Sequence, residues 1–366
     1  MNELGSNGIV TSVDELGEIV SLSEPEEEML NRLSEIHPIK VSEYYLSLID
    51  ENDPEDPIRK MTLPTEGELS VDGSYDTSGE VSNTILPGIQ HKYSQTAVIL
   101  ATAECATYCR YCFRKRLVGL PSQEILRNLD AAVEYISAHQ EINNVLITGG
   151  DPFTLNTNRI AELLEAFSSV AHLDFIRFGT RVPVTFPGRI LDDDKLLEVL
   201  KEHSRTDRRL FIVTQYNHPR EITEESIQAI EGLMASGLAV NNQTVLLKGV
   251  NDDAEVLANL QNTLVRIGVN PYYVFQCRPV ARVKATFQVP LYMGYRIVEE
   301  AKKHLHGHSK RFRFIMSHES GKIEILGIMN GRFLFKYHQA KNPRDAGRII
   351  SRAVDKTATW LDDLEK

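Results

Sequence analysis

Six short apolar runs alternate with six amphipathic stretches between residues 97 and 304, and this alternation limits the fold more than any other feature of the chain. The apolar runs predict strands at Ala97–Thr102, Asn144–Thr148, Phe175–Phe178, Leu210–Thr214, Val240–Leu247 and Tyr272–Gln276. The amphipathic stretches predict helices at Gln123–His139, Asn156–Val170, Asp192–His203, Thr223–Ser236, Asp253–Gly268 and Leu291–His304. Parallel strands joined by right-handed helical crossovers follow from this order, which indicates an α/β barrel, either open or closed.

Two further segments flank the predicted barrel. We divide the chain into an N-terminal wrapping segment over 1–90, a barrel core over 91–308 and a C-terminal appendage over 309–366. The wrapping segment has helical periodicity at Glu26–Ile36 and Val41–Ile49, followed by a loop-rich stretch with many Asp, Pro and Gly residues. The appendage is predicted to hold short strands and a final amphipathic helix, at Phe312–Met316, Ile323–Gly327, Arg332–Tyr337 and, for the helix, Pro343–Leu364.

The charge balance excludes some partners. Lys+Arg 40 against Asp+Glu 51 gives a formal net charge of -11 at pH 7, a field that repels nucleic acid and anionic membranes. The first residues lack the cationic segment and apolar run of a signal peptide, and no apolar stretch reaches the length of a membrane span. We therefore expect a cytoplasmic protein with no nucleic-acid or membrane partner.

Three of the four cysteines, Cys105, Cys109 and Cys112, directly follow the first predicted strand. Loops at the carboxyl ends of barrel strands build active sites. Three thiolates can bind three irons of a [4Fe–4S] cluster and leave the fourth iron open to another ligand, whereas a closed zinc site needs four ligands. The remaining cysteine, Cys277, lies on a distant strand and is interpreted as a small buried hydrophobe.

A glycine-rich turn, Gly149-Gly150-Asp151-Pro152, ends the second predicted strand. Two glycines allow the backbone to approach a ligand closely and expose amide groups to it. On its own the turn is a weak motif, because a plain strand-to-helix turn explains it equally well.

The cysteine spacing, with Tyr111 before the last cysteine, resembles the radical S-adenosylmethionine (radical SAM) superfamily, whose hallmark is CxxxCxxC. The resemblance implies a partial (β/α)6 TIM-like barrel and a cluster whose open iron binds the amino and carboxylate groups of SAM. One electron, which a reducing electron donor supplies to the cluster, then cleaves SAM to a 5′-deoxyadenosyl radical that abstracts hydrogen from the substrate. Within this resemblance, Gly149, Gly150 and Asp151 belong to the segment that holds the methionine amino group.

A closer resemblance, over roughly Tyr44 to Lys322, is to the lysine 2,3-aminomutase family. The segments that carry it are YYLSLIDENDPEDPIRK, LPGIQHKY, CATYCRYCFRKR, LITGGDP, RFGTRVPVTFPGRI, YNHPREITEES, NQTVLLKGVND and NPYYVFQC. Members of that family combine the radical cofactor with pyridoxal 5′-phosphate (PLP) and move an amino group from the α-carbon to the β-carbon of an amino acid. The resemblance implies that this chain is an isomerase whose substrate is a small amino acid.

Lys322, in SHESGKIEIL, matches the family lysine that holds PLP as a Schiff base. The family's glycine run is replaced here by His318-Glu319-Ser320-Gly321, and a proline of the family is replaced by Glu324. The first phosphate-binding arginine of the family matches Lys92, which keeps the charge but loses the planar fork, and the second matches Thr96. The resemblance therefore implies PLP on Lys322 with weakened phosphate contacts.

Two arginines match substrate-binding positions. Arg114, just after the cluster cysteines, matches the family arginine that pairs with the substrate α-carboxylate. Lysine-specific members hold the distal ammonium with two aspartates, which match Arg278 and either Ile315 or Met316. A buried ammonium facing Arg278 would cost roughly 3–5 kcal/mol, so lysine is disfavoured as the substrate. Arg278 suits a distal carboxylate instead, as in the glutamate-type aminomutases, whose corresponding position is cationic.

Two alternatives stay open at this point. One is a radical SAM enzyme that has weakened or lost PLP and uses Arg278 and Lys92 for another anionic substrate. The other is a cluster-bearing or binding protein that is not an enzyme, and the retained Gly-Gly-Asp turn argues against it. No cysteine follows Cys277, so the C-terminal zinc site of the lysine enzymes is not expected. The sequence leaves the exact substrate and the oligomeric state open, and a homo-oligomer is compatible with it.

Overall fold

The computed structural model describes residues 8–365. Its strands are β1 (Ile9–Val10), β2 (Val41–Ser42), β3 (Thr84–Leu86), β4 (Ile89–Tyr93), β5 (Thr96–Thr102), β6 (Asn144–Gly149), β7 (Phe175–Gly179), β8 (Arg209–Thr214), β9 (Ala239–Leu246), β10 (Asn270–Gln276), β11 (Arg313–His318), β12 (Gly321–Met329), β13 (Arg332–Ala340) and β14 (Ile349–Ala353). Its helices are α1 (Val13–Gly17), α2 (Glu24–Ser34), α3 (Glu43–Leu46), α4 (Pro57–Thr62), α5 (Glu80–Asn83), α6 (Leu129–Ala138), α7 (Thr157–Ser168), α8 (Val182–Thr185), α9 (Gly188–Leu191), α10 (Asp194–His203), α11 (Glu224–Ala235), α12 (Ala254–Arg266), α13 (Lys284–Phe287) and α14 (Leu291–Lys303). Over this range, no helix has both the length and the apolar composition needed to cross a lipid bilayer.

Twelve strands form one sheet, in the order β14-β13-β12-β11-β10-β9-β8-β7-β6-β5-β4-β3. The strands from β5 to β11 are parallel. Each connection between them contains at least one helix, because a chain can reach a parallel neighbour only by crossing over the sheet. The sheet becomes antiparallel at both ends, with β3 and β4 on one side and β12 to β14 on the other.

The long crossover helices begin where a short polar side chain precedes an apolar periodic stretch. Asn156 accepts a hydrogen bond from the Arg159 amide at the start of α7, and Asp253 accepts from the Val256 amide at the start of α12. These caps satisfy amide groups that have no partner within the helix. The buried leucines and isoleucines of these helices then join the core between helices and sheet, where each buried side chain contributes about 1.5–3 kcal/mol.

The N-terminal segment is attached to the barrel by buried contacts. β1 pairs with β2 in antiparallel register, and α3 follows directly. Tyr45 of α3 is fully buried and donates a hydrogen bond of 2.5 Å to Glu221, which lies after β8. The segment from Ser70 to Ser74 also exchanges backbone hydrogen bonds with residues 279–282 after β10. This segment thus covers the end of the sheet at which the parallel strands terminate.

The predicted α/β fold and its six strand and helix pairs are confirmed, with boundaries that differ by a few residues except in the first helix. That helix was expected from Gln123 but begins at Leu129, after the Asn128 cap. The stretch Val41–Ile49, predicted as one helix, is a two-residue strand followed by the short helix α3. The strands β3 and β4 were not predicted.

The predicted final helix over Pro343–Leu364 is wrong. Residues Ile349–Ala353 instead form β14, which pairs antiparallel with β13. The half-exposed side chains of β14 lie on the edge of the sheet, so their apolar pattern is too weak to distinguish the two periodicities. The three predicted C-terminal strands are present, and together with Trp360 they enclose a second hydrophobic core.

Candidate active site

The sheet curves around one cavity of about 360 Å³. Residues of every strand from β4 to β13 contribute to its wall, as do the loops that follow β5, β6, β7 and β10. All of the predicted site residues line it, namely Lys92, Cys105, Cys109, Tyr111, Cys112, Arg114, Gly149, Gly150, Asp151, Arg278 and Lys322. Residues separated by more than two hundred positions in the sequence are therefore neighbours in one site.

The cysteine loop after β5 is fixed by the N-terminal segment. The Tyr108 amide donates to the carbonyl of Lys40 at 2.8 Å, and the Arg110 amide donates to the carbonyl of Met61 at 2.9 Å. These bonds satisfy backbone groups of a loop that contains no regular secondary structure. The wrapping segment is thus a structural support of the three cysteines.

A buried ion cluster lies behind the same loop. Both oxygens of Glu68 accept hydrogen bonds from the Arg110 guanidinium, at 2.6 and 2.7 Å, and the Lys115 ammonium is 2.7 Å from the same carboxylate. All three side chains are almost completely buried. Burial alone would raise the pKa of Glu68, but Arg110 and Lys115 outweigh it and keep the carboxylate charged.

Replacing Glu68 by glutamine is expected to lower the free energy of unfolding by about 3–5 kcal/mol, because two buried cations lose their only counter-charge in this cluster. Thermal unfolding of the cluster-free protein should show a Tm lower by about 4–7 °C. Glu55→Gln is the matched control, since the Glu55 carboxylate pairs with Lys60 at the surface. Equal Tm values for the two variants would contradict the role of Glu68 as the buried counter-charge of Arg110 and Lys115.

The thiols of Cys105, Cys109 and Cys112 are free of disulfide bonds. Burial raises the pKa of the Cys105 thiol above its usual range and that of Cys112 to about 11. Bound iron would supply the positive charge that stabilises these groups as thiolates. Among residues 8–365, no three His, Cys, Asp or Glu side chains are grouped closely enough to hold a single metal ion. The donor set therefore fits a cluster in which each thiolate binds its own iron better than it fits one zinc ion.

Arg181, which the sequence did not single out, contacts the same cysteines. It follows β7, and its guanidinium lies 2.6 Å from the Cys109 sulfur and 2.5 Å from a carboxylate oxygen of Glu221. Its Nε also donates to the carbonyl of Gln215 at 3.0 Å. Tyr111 is buried beside this network, where its hydroxyl accepts a hydrogen bond of 2.7 Å from the Asn217 amide. A fixed cation thus lies against one thiol.

The glycine turn after β6 packs directly on the cysteine loop. A Cβ atom on Gly150 would lie 2.2 Å from the carbonyl oxygen of Glu104, so only glycine fits this approach. The amide of Gly150 donates to the Thr102 carbonyl and that of Asp151 donates to the Glu104 carbonyl, both at 2.7 Å. The expectation that these amides are open to a ligand is therefore wrong, because the loop uses them for its own support.

Lys322 of β12 is an unpaired amine in the wall of the cavity. Its Nζ lies 5.0 Å from the ring centre of Tyr273 and 5.9 Å from that of Tyr93, and it has no hydrogen-bond or ion-pair partner in residues 8–365. Burial, with smaller effects from Arg177, Arg278 and Lys92, lowers the pKa of Lys322 to about 7. A large fraction of this amine is neutral at neutral pH, which is the nucleophilic form.

Lys92 links two segments that are distant in the sequence and lie at the wall of the cavity. Its ammonium donates to the carbonyl of Ser78 at 3.1 Å and to that of His318 at 2.8 Å. Burial lowers the pKa of Lys92 to about 8, and the charge of Arg278 adds to this effect. Lys92 therefore fixes the turn that precedes Lys322 as well as adding positive charge to the cavity.

Arg114 already has a carboxylate partner that the sequence did not predict. Glu80 of α5 accepts from the Nε and Nη2 atoms of Arg114, both at 2.9 Å, and the Gly149 carbonyl accepts from Nη1 at 3.1 Å. Glu80 also contacts Arg116 at 3.2 Å. The positive charge of Arg114 is thus largely neutralised within the protein.

Arg278 differs, because its neighbours are neutral hydroxyls. It donates to the Ser78 Oγ at 2.7 Å and to the Ser317 Oγ at 2.9 Å, and it stacks over the ring of Phe113 at 4.1 Å. Burial lowers its pKa to about 10. Ile315 and Met316, which match the second aspartate of the lysine-specific members, are buried core residues, and the β11 side chain that contacts Arg278 is Ser317.

The cavity wall also holds polar atoms with no partner in the described part of the chain. They are Gln90 Nε2, Tyr93 OH, Arg177 Nε, Thr214 Oγ1, Gln276 Oε1 and Gln339 Oε1. Buried polar groups without partners are rare in folded proteins, and their grouping marks a place where a polar ligand completes the structure. Gln90, Tyr93, Arg177 and Gln276 lie in segments that carry the family resemblance, but the sequence analysis assigned no role to any residue of this set, because only the folded chain shows that these atoms lack partners.

The fold and the three-cysteine site define the class of protein as a radical SAM enzyme, and residues 99–260 match the Radical SAM superfamily model. The chain is 41% identical, over 94% of its length and 92% of the relative's, to a protein of Aquifex aeolicus (strain VF5) provisionally designated an L-lysine 2,3-aminomutase. It is 35% identical to the L-lysine 2,3-aminomutase of Acetoanaerobium sticklandii, with 82% of this chain and 71% of that one covered. The glutamate 2,3-aminomutase of Clostridioides difficile (strain 630) is 36% identical, with 81% and 70% covered.

The chain therefore belongs to the lysine 2,3-aminomutase family of radical SAM enzymes, which confirms the predicted resemblance and the isomerase class. A [4Fe–4S] cluster, SAM and PLP are the cofactors that this family implies, in agreement with the sequence analysis. Among solved structures, that of native anSMEcpe with bound AdoMet is 14% identical with a TM-score of 0.43, and the match covers 56% of this chain and 58% of that one.

Proposed function

We propose that this protein is a PLP-dependent radical SAM aminomutase that moves the α-amino group of a small acidic amino acid to the β-carbon. One observation carries the proposal: the three free thiols and the unpaired Lys322 amine line the same cavity. A radical source and an amine-binding cofactor have to act on one substrate molecule, so their attachment points have to share one site. We place the reaction in the cytoplasm, as the sequence predicts.

Cys105, Cys109 and Cys112 would hold the [4Fe–4S] cluster, and Gly149, Gly150, Asp151 and Tyr111, which line the same cavity, would contribute to the binding of SAM. When bound and reduced by an electron donor, the cluster and SAM supply the radical that takes hydrogen from the substrate. The protein's contribution is to hold the cysteine loop rigidly through Glu68 and the wrapping segment, as the loop has no regular secondary structure of its own.

Lys322 would be the attachment point of PLP, which supplies the conjugated ring that stabilises the migrating radical. A pKa of about 7 leaves about half of the Lys322 amine neutral at pH 7, whereas an ordinary lysine is almost fully protonated at this pH. The Tyr93 and Tyr273 rings limit the positions that the amine can take. The rate at which the amine reacts with PLP should therefore increase with pH through about pH 7, and not only near pH 10.

Arg278 would recognise the distal carboxylate of the substrate. Its planar guanidinium fits a carboxylate, and its neutral hydroxyl neighbours leave its charge uncompensated. The family includes relatives designated lysine and glutamate 2,3-aminomutases, and Arg278 favours the acidic substrate. Arg114, next to the cluster loop, would meet the α-carboxylate, with Glu80 holding its guanidinium in position.

The experiment that tests this function is borohydride reduction of the protein with PLP, followed by peptide mapping. We expect the label on Lys322 in the wild type, and no label in Lys322→Ala, because the amine that forms the bond is absent. Reductive cleavage of SAM to 5′-deoxyadenosine should persist in this variant, since its thiols are intact.

Lys341→Ala is the control, because Lys341 is an exposed lysine whose Nζ is 3.5 Å from Ser82 and does not line the cavity. Its PLP label should equal that of the wild type. A wild-type label on Lys92 or on any lysine other than Lys322 would overturn the assignment. Absence of any label, together with intact SAM cleavage, would favour the alternative enzyme that has lost PLP.

A further inference from the structure

Arg177 of β7 lines the cavity, and neither the sequence analysis nor the proposed reaction assigns it a role. Its Nη2 donates to the side-chain oxygen of Asn144 at 2.5 Å, and its guanidinium lies 5.6 Å from the ring centre of Phe175. Its Nε is buried without a partner, and no carboxylate of residues 8–365 forms an ion pair with it. Burial lowers the pKa of Arg177, as expected for a charge that its surroundings do not compensate.

Arg177 is one of several cations that act on Lys322. Among the charged groups near Lys322, Arg177 is the one that lowers the pKa of Lys322 most, ahead of Arg278 and Lys92. All of these cations line one cavity, and the carboxylate of Glu80 in its wall is already paired with arginines. Like charges gathered out of water are costly unless an anion joins them. This part of the cavity is therefore built for an anionic group.

Two hydroxyl side chains, those of Thr96 and Tyr93, belong to the same part of the cavity. Thr96 at the start of β5 donates to the same Asn144 oxygen as Arg177, at 3.2 Å. Tyr93 is the register partner of Thr96 across β4 and β5, and its buried hydroxyl has no hydrogen-bond partner within residues 8–365. Burial raises the pKa of Tyr93 to about 12, so this hydroxyl keeps its proton and can donate it to an acceptor. The Lys322 amine lies above the Tyr93 ring.

We infer that Arg177 binds the phosphate group of the PLP attached to Lys322, with the Tyr93 hydroxyl as a neutral donor beside it and with Asn144, which accepts from both Thr96 and Arg177, holding the guanidinium in place. This inference rests on the proposed function, and it adds a positioning residue that compensates for the loss of the arginine at position 96. A guanidinium fits phosphate with two parallel hydrogen bonds, which a threonine cannot supply. Because phosphate and lysine hold the cofactor at two points, the orientation of its ring is fixed relative to the cluster thiols.

The test compares PLP with pyridoxal, which lacks the phosphate, by equilibrium binding to the cluster-reconstituted protein. Arg177→Gln removes the charge and nearly keeps the shape of the side chain. We expect PLP to bind about 30- to 100-fold more weakly to this variant, on the order expected for the loss of charge-assisted hydrogen bonds. The Kd for pyridoxal should change less than about threefold, so the preference of the protein for PLP over pyridoxal should largely disappear. Arg177→Lys should keep part of it, because the charge remains.

Arg313→Gln is the matched control, since Arg313 is an exposed arginine on β11 that pairs with Glu324. Iron and sulfide content, measured on each variant, reports whether the fold and the cysteine loop are intact. If Arg177→Gln does not fold, the ratio of PLP affinity to pyridoxal affinity is measured on Arg177→Lys instead, and a reduced ratio supports the inference. An unchanged PLP-to-pyridoxal ratio in the folded variant, or an equal loss for both ligands, would overturn the inference.

The failure of this inference is distinct from failure of the proposed function. If borohydride traps PLP on Lys322 in the wild type but the ligand ratio does not depend on Arg177, the function stands and the phosphate lies elsewhere. If wild type traps no PLP at all, both fail together. Inorganic phosphate gives a further check, because it should compete with pyridoxal phosphate in wild type and compete less well in Arg177→Gln.

Discussion

Replacing Cys105, Cys109 or Cys112 by alanine is expected to abolish assembly of an intact [4Fe–4S] cluster in each single variant. Each thiol is one of only three protein ligands in the proposed site, and the remaining two cannot hold a cluster whose fourth iron has no protein ligand. Iron and sulfide after anaerobic reconstitution should fall from about four per chain towards zero. Formation of 5′-deoxyadenosine should fall with them, because cleavage of SAM requires the cluster's electron.

Cys277→Ala provides the control for these variants. Cys277 is 2% exposed and belongs to the hydrophobic core, and burial raises the pKa of its thiol to about 12. Cys277 follows β10, outside the loop that holds the three proposed ligands, so the variant should retain its iron and sulfide. Loss of the cluster in Cys277→Ala alone, with the loop variants intact, would show that the proposed ligand set is wrong.

Arg278→Asp is expected to reverse the preference between acidic and basic substrates. In the wild type, a glutamate-like side chain would meet the uncompensated guanidinium, whereas in the variant it meets a like charge. Transition-state binding of the acidic substrate should weaken by roughly 3–5 kcal/mol, measured as kcat/KM. Lysine should improve relative to glutamate, because the new carboxylate can pair with its distal ammonium.

The ratio of kcat/KM for glutamate to that for lysine is the quantity to compare, since losses of cluster or of folded protein cancel from it. Arg278→Lys should keep the preference for glutamate, although with weaker binding, because the positive charge stays and the planar fork is lost. A wild-type preference for lysine, or a ratio that does not change in Arg278→Asp, would make Arg278 a structural residue.

The parallel part of the fold was predictable because its signal is local. Long helices such as α14 bury one face against the sheet, so their apolar residues recur with helical spacing and their bounds are visible in the sequence. β14 carries no such signal: it is a strand because Leu334 and Ser351 pair across the edge of the sheet, a contact between distant parts of the chain. The periodicity of a segment does not show which strand it pairs with, and this segment was therefore predicted as a helix.

The residues of the candidate site likewise fall into those that the sequence indicated and those that only the folded chain shows. The cysteine spacing lies within a single loop and was visible directly, and Lys322 and Arg278 were visible through the resemblance to a known family. Glu80, Ser78 and Ser317 were not, because their importance comes from the arginines that they contact. Paired charges such as Arg114 and Glu80 are 34 positions apart, and only the folded chain shows which cations are compensated.

Because Lys322 lies within a strand, the number of residues in the turn before it determines whether its amine faces the cavity. Side chains alternate across a strand, so insertion or deletion of one residue between Ser317 and Lys322 would turn the amine away from the cavity. Gly321 adds a second limit, because a Cβ there would lie 2.2 Å from the carbonyl oxygen of Gln339 on β13. Relatives can thus exchange side chains in the preceding turn, but a change in its length would disconnect the lysine from the rest of the site.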